Sequence, residues 1–257
     1  MIARRALLRQ MSLAGVGAGL VLASRPVLAS ESGQWSYQGA AGPRNWSHLS
    51  PEFAACAGQR QSPIDLAPAG PAQEGQLSLH WPGFAADIVH NGHTVQVTPR
   101  SADGSHYLLL GGARFDFRQA HFHHPSEHAL ADRRWPLEMH AVHQAADGRL
   151  AVVGIMFRPG RVNDTLATIL AALPPSGATR PAGRAIDLTH CLPLSAASYR
   201  YEGSLTTPPC SEIVSWIVLR DPVEAGIGQI GIFAREFPMN ARPLQPDTGR
   251  RIGVDLF

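Results

Sequence analysis

Residues 117–128 read FRQAHFHHPSEH and hold four of the chain's twelve histidines: His121, His123, His124 and His128. On a β-strand, alternation sends Gln119, His121 and His123 to one face and Ala120, Phe122 and His124 to the other. Same-face neighbours stand about 7 Å apart at Cβ, close enough for two imidazoles to converge on one ion. The third donor is sought in LEMHAVH, residues 137–143. A strand there puts Glu138 and His140 on one face and His143 on the other, where a packed, hydrogen-bonded histidine is expected. Three neutral imidazoles suit Zn²⁺ and leave one tetrahedral position open, the arrangement of a catalytic rather than a structural site. Gln119 and Glu138 each precede a candidate ligand by two residues and could accept its second ring N–H, fixing the tautomer. His124 is a spare donor expected to point away.

Outward from this stretch, short apolar runs recur between turn residues: 77–81, 87–99, 106–124, 136–144, 150–158 and 211–219. Their length and their Val, Ile, Phe and Trp content predict strands. NDTLATILAAL, residues 163–173, predicts a helix capped by Asn163 or Asp164, with Leu166, Ile169, Leu170 and Leu173 at helical spacing. Residues 223–237 form a second, weaker helix candidate because of their glycines. No repeat or linker divides the chain. The expected fold class is mainly β (α+β): a single domain on a large central twisted, mostly antiparallel sheet, with a few short peripheral helices.

The 257 residues are 44% hydrophobic and 16% charged, ample for one large core. A net charge of +2, with both signs mixed along the chain, leaves no electrostatic footprint for nucleic acid. Residues 1–29 differ from the rest: four arginines, no acid, an apolar run of about thirteen residues and VLA before Ser30. The run is shorter than the roughly 20 residues a membrane-spanning helix needs, so it predicts a cleaved signal peptide rather than an anchor. Arg4-Arg5 gives it a twin-arginine-like character. A periplasmic or secreted domain of residues 30–257 is expected. Export permits disulfides, and three cysteines, Cys56, Cys191 and Cys210, allow one pair and one remainder. Composition alone does not choose the pair.

Taken together, WSY (35–37), QSPIDL (61–66), NGH (91–93), QAHFHHPSEH (119–128), LEMHAVH (137–143), SLTTPPCSE (204–212) and NARPLQP (240–246) resemble the α-class carbonic anhydrases. The resemblance runs from about Trp35 to the C-terminus. It implies reversible hydration of CO₂ to bicarbonate and a proton by zinc-bound hydroxide, with one Zn²⁺ per chain. His121, His123 and His140 would be the ligands, oriented by Gln119, the backbone carbonyl of Asn240, and Glu138. Thr206 would orient the hydroxide and pass its own hydrogen bond to Glu127. Val142, Val152, Leu205, Val214 and Trp216 would form an apolar wall for CO₂, with Thr207 on its polar side. His93 would shuttle the proton through solvent ordered by Tyr37, Asn91 and Gln96. Cys56 and Cys210 would form a disulfide, leaving Cys191 as a buried thiol. Anions and sulfonamides are the implied inhibitors, and a monomer or homodimer the implied assembly. His124 departs from the animal members, which usually carry Trp there. Two other activities are set beside this one: non-catalytic zinc binding on the same fold, and hydrolysis of small esters. No G-x-S-x-G signature supports the latter.

Overall fold

The structure, a computed structural model, describes residues 35–67, 70 and 75–255. The expected signal peptide lies outside the described residues. The strands are β1 (Leu77–His80), β2 (Ala86–His90), β3 (Val95–Pro99), β4 (Tyr107–Leu110), β5 (Ala113–His123), β6 (Leu137–Gln144), β7 (Leu150–Pro159), β8 (Thr179–Pro181), β9 (Ser198–Gly203), β10 (Val214–Leu219), β11 (Val223–Ala225) and β12 (Gly253–Asp255). Three α-helices accompany them: α1 (Trp46–Leu49), α2 (Asp164–Ala171) and α3 (Ile227–Glu236). All the strands join one sheet, in the order β12-β9-β10-β7-β6-β5-β3-β2-β8, with β4 on β5, β1 on β4 and β11 on β7. Pairing is antiparallel except where β7 meets β10 and β11. This is the mainly β, single-domain architecture expected from the short apolar runs.

The central strands are buried on both faces, and the two faces differ in purpose. Met139 and Ala141 of β6 and Val153 and Ile155 of β7 enter the larger core. Leu166 and Ile169 of α2 and Ile230 and Phe233 of α3 cover that side. Each such side chain contributes about 1.5–3 kcal/mol by leaving water. The opposite face carries Val142, Val152, Val214 and Trp216 in a second cluster. Glu138 and His140 share that face with them, by alternation along β6.

β5 breaks the simple alternation once. Phe117 pairs with His143, and Gln119 then pairs with Val142, so Arg118 is an extra residue in a β-bulge. The bulge reverses the parity of the strand. Phe115 and Phe117 before it and Ala120 and Phe122 after it all enter the larger core. An unbroken strand from Phe117 would have put that ring on the histidine face. At α2, Asn163 rather than Asp164 is the cap: its Oδ1 accepts the Leu166 N–H at 3.1 Å. Cys56 and Cys210 form a disulfide across 154 residues of chain. Cys191 is a buried thiol whose pKa burial pushes up to about 12.

Candidate metal centre and cavity

The register of β5 against β6 sets His121 opposite His140 and His123 opposite Glu138. The three imidazoles therefore gather on one face. Their ring centroids are 4.5–5.2 Å apart. One nitrogen of each ring lies within 4.8 Å of those of the other two.

The second nitrogen of each ring is spoken for. His121 Nδ1 donates to Gln119 Oε1 at 2.9 Å, and His123 Nδ1 to the Asn240 carbonyl at 2.7 Å. His140 Nε2 donates to Glu138 Oε1 at 2.9 Å. Carbonyl and carboxylate oxygens accept only, so each ring carries its proton on the bonded nitrogen. The lone pairs left over are His121 Nε2, His123 Nε2 and His140 Nδ1. Burial, followed by the neighbouring histidines His123 and His140, holds His121 well below the ordinary histidine range. Burial also lowers His123, against the opposing pull of Glu127. Neutral imidazoles are the metal-binding form.

Glu138 is held at every lone pair that matters. Oε1 also accepts from His128 Nδ1 at 2.8 Å, and Oε2 accepts the Glu127 and His128 amides at 2.8 and 2.9 Å. Burial pushes this carboxyl upward, but His128 and His140 outweigh it and keep it well below its usual range. His128 Nε2 lies 2.7 Å from the Tyr201 hydroxyl, which donates to Ser62. Arg242 is equally embedded. Its guanidinium reaches Gln61, Ser62 and Cys56 oxygens, and its amide donates to Glu127 Oε1 at 2.7 Å. Neither His128 nor Arg242 is legible as a site residue from the sequence. The one signal is that both sit inside motifs, PSEH and NARP, that polar surface loops would not need.

Two buried atoms fit a cation. His123 Nε2 and Glu127 Oε2 both lack a hydrogen-bond partner and approach to 3.5 Å. An unmet buried polar atom costs about 1–3 kcal/mol, which a positive ion between such groups would offset. The donor set of three neutral nitrogens suits Zn²⁺.

Above the histidines opens a cavity of about 440 Å³. Gln119, His121, His123, Val142, Leu205 and Thr207 line it, together with Trp35, Tyr37, Asn91, His93 and Gln96. Val152, Val214 and Trp216 are buried in one cluster with Val142. Thr206, between Leu205 and Thr207, is buried, and no hydrogen bond among the described residues joins it to Glu127. His93 stacks on Trp35 with centroids 3.9 Å apart and planes 8° apart, and burial lowers its pKa. His124 turns away as expected: its amide donates to Asn240 Oδ1 and its ring approaches the Pro238 carbonyl. His143 is the packed histidine on the opposite face. It accepts the Trp81 indole N–H at 2.9 Å, and burial lowers its pKa to about 3.

A single large sheet carrying a three-histidine cluster that could hold a metal ion, beside an open cavity, defines a candidate metal-binding β protein. Comparison with known proteins names the family. Residues 41–254 match the family model described as eukaryotic-type carbonic anhydrase. The chain is 41% identical to the carbonic anhydrase of Pectobacterium atrosepticum over 227 residues, 87% of this chain and 92% of that one. It is 37% identical to the carbonic anhydrase of a Nostoc species over 257 residues, 97% of this chain and 96% of that one. The α-carbonic anhydrase of Thermovibrio ammonificans, solved with sulfanilamide, superimposes with a TM-score of 0.81 at 39% identity, covering 85% of this chain and 97% of that one. The chain belongs to the eukaryotic-type, or α-class, carbonic anhydrase family.

Proposed function

We propose that this chain catalyses reversible hydration of CO₂ to bicarbonate and a proton, with one Zn²⁺ held by His121, His123 and His140. The observation that carries the reading is the set of three outward lone pairs within 4.8 Å, each on a ring whose other nitrogen is fixed. Zinc would supply the Lewis acid that makes hydroxide available from water near neutral pH. The remaining work falls to the chain. Gln119, the Asn240 carbonyl and Glu138 hold the imidazoles in the ligating tautomer. Glu127 Oε2, buried and unpaired, is the acceptor available to the Thr206 hydroxyl, and the Arg242 amide keeps that carboxylate in place. Val142 and Leu205, backed by Val152, Val214 and Trp216, offer apolar surface to uncharged CO₂, while Thr207 faces the polar side. His93 takes the released proton to solvent along a route lined by Tyr37, Asn91 and Gln96.

Export through residues 1–29 and the Cys56–Cys210 disulfide support a periplasmic or secreted location. The sulfanilamide complex of the Thermovibrio relative supports sulfonamides as inhibitors here. The test is stopped-flow CO₂ hydration by the chain from Ser30 onward, with zinc measured on the same sample. Fast hydration with about one zinc per chain, lost on chelation, restored by zinc and abolished by His121→Ala, is the expected result. Full zinc occupancy without hydration would overturn it in favour of a binding protein.

A further inference from the structure

His90 closes β2 and holds the turn that follows, yet it has no part in the proposed chemistry. Its ring is 3% exposed and packs on Phe237 with centroids 4.8 Å apart. Nδ1 accepts the Gly92 N–H at 3.2 Å. An amide only donates, so Nδ1 carries no proton and Nε2 does. Nε2 then donates to Oε1 of Glu236, the last residue of α3, at 2.9 Å. Gly92 has φ of +86°, a conformation that favours glycine and must be held by its neighbours. The rest of the turn is tied locally and to Asn240, beyond the end of α3. Asn91 Oδ1 accepts the His93 and Thr94 amides at 3.0 and 2.9 Å, and the His93 carbonyl accepts from Asn240 Nδ2 at 2.9 Å. Among these bonds, only the His90 ring connects the turn to α3. With both ring nitrogens engaged, His90 has no lone pair free to take a proton from the cavity. Its geometry suits a brace and not a relay.

We infer that His90, anchored by Glu236, is a positioning residue for proton transfer: it fixes the turn that holds His93 stacked on Trp35 at the cavity lining. The inference rests on the reading of His93 as the proton carrier. The hydration step at the histidine cluster does not use this turn, so the two steps separate kinetically.

The test compares variants by stopped-flow CO₂ hydration in a dilute, bulky buffer and again with imidazole added, with zinc content measured throughout. His90→Phe keeps the ring packing on Phe237 but removes the Nδ1 acceptor and the Nε2 donor. Its kcat in dilute buffer is expected to fall about tenfold, the scale of a misplaced acid–base group. Its kcat/KM should not change, and imidazole should restore kcat. His90→Asn offers Gly92 a carbonyl oxygen in an Asx-turn and should recover most of the loss. Glu236→Ala, at the solvent end of the pair, should shift kcat in the same direction by less, and it decides the matter if His90→Phe does not fold. Equal falls in kcat and kcat/KM would show a merely structural role and overturn the inference. So would an unchanged kcat in the His90 and Glu236 variants when His93→Ala lowers it. If His93→Ala itself leaves kcat intact, it is the assignment of His93 that fails, and the inference with it.

Discussion

Gly154→Ala tests how tightly the metal centre is packed from behind. Gly154 lies in β7 between His140 on β6 and Val218 on β10. A Cβ at this position would stand 3.0 Å from Glu138 Oε1 and 3.3 Å from Val218 Cγ2. The backbone is ordinary strand, so alanine is allowed and should gain about 0.4–1 kcal/mol by restricting the unfolded chain. Crowding opposes this. Glu138 cannot yield, because its oxygens already accept from His128, His140 and the two amides of Glu127 and His128. Overpacking a rigid core costs about 1–3 kcal/mol, so crowding wins by roughly 1–2 kcal/mol. For a chain of this size that lowers Tm by about 2–8 °C. Displacing Glu138 also loosens the bond that orients His140, and zinc affinity should fall about 10- to 100-fold. Thermal melts of metal-free protein and zinc competition against a chromophoric chelator give the two numbers. Gly228→Ala is the control: a Cβ there meets nothing within 4 Å inside α3, and the change should stabilise by about 0.5–1 kcal/mol. A Gly154→Ala protein that melts at or above the parent and binds zinc equally well refutes the reasoning.

Two further outcomes follow from the buried pairs. Replacing Cys56 and Cys210 by serine should cost about 2–4 kcal/mol in urea unfolding, since the bridge closes a very long loop in the unfolded chain; an unchanged midpoint would mean the bridge constrains nothing. His143 makes stability depend on acid. The unfolded chain binds a proton there below the ordinary value of 6.5, while the folded chain does so only near pH 3. Stability from this group is therefore present above pH 6.5 and lost as pH falls toward 3, by about 1.4 kcal/mol per unit within that window. His143→Phe, measured at neutral pH and again inside that window, should lose less stability on acidification than the parent by that amount. Parallel losses in the two proteins would remove His143 as the cause.

Much of the site was legible because a strand displays its chemistry at every second residue. QAHFHH and LEMHAVH spell out two histidine faces, with Gln119 and Glu138 beside them, and the structure brings His121, His123 and His140 together in that way. The bulge at Arg118 is not spelled out, since an extra residue shows only as a shift between Phe115, Phe117 and Ala120, Phe122. β9 escaped the pattern search for a related reason: SYRYEG mixes Arg200 and Glu202 with its tyrosines, and Arg200 is buried through long-range bonds to Gly75 and Asp255. Val142, Val152, Val214 and Trp216 meet in one buried cluster, a neighbourhood set by packing of three strands that no periodicity encodes. His128 is held by nearby Glu138 and by distant Tyr201, and Arg242 by partners far off in the chain such as Gln61.

Asn240 and Arg242 have a consequence for the order in which the site is assembled. All three imidazoles are translated within one short stretch, from His121 to His140, near the middle of the chain. The carbonyl that orients His123 comes 117 residues after it, and the amide that holds Glu127 comes 115 residues after that carboxylate. A nascent chain that has emerged only as far as α3 therefore owns the three histidines, with Gln119 and Glu138 beside two of them, but lacks the carbonyl that orients His123 and the amide that holds Glu127. Contacts of such separation form late, because the loop between them must close first. The candidate metal centre is thus finished by the C-terminal segment, and the growing chain carries an incomplete histidine cluster until nearly all of it has been made.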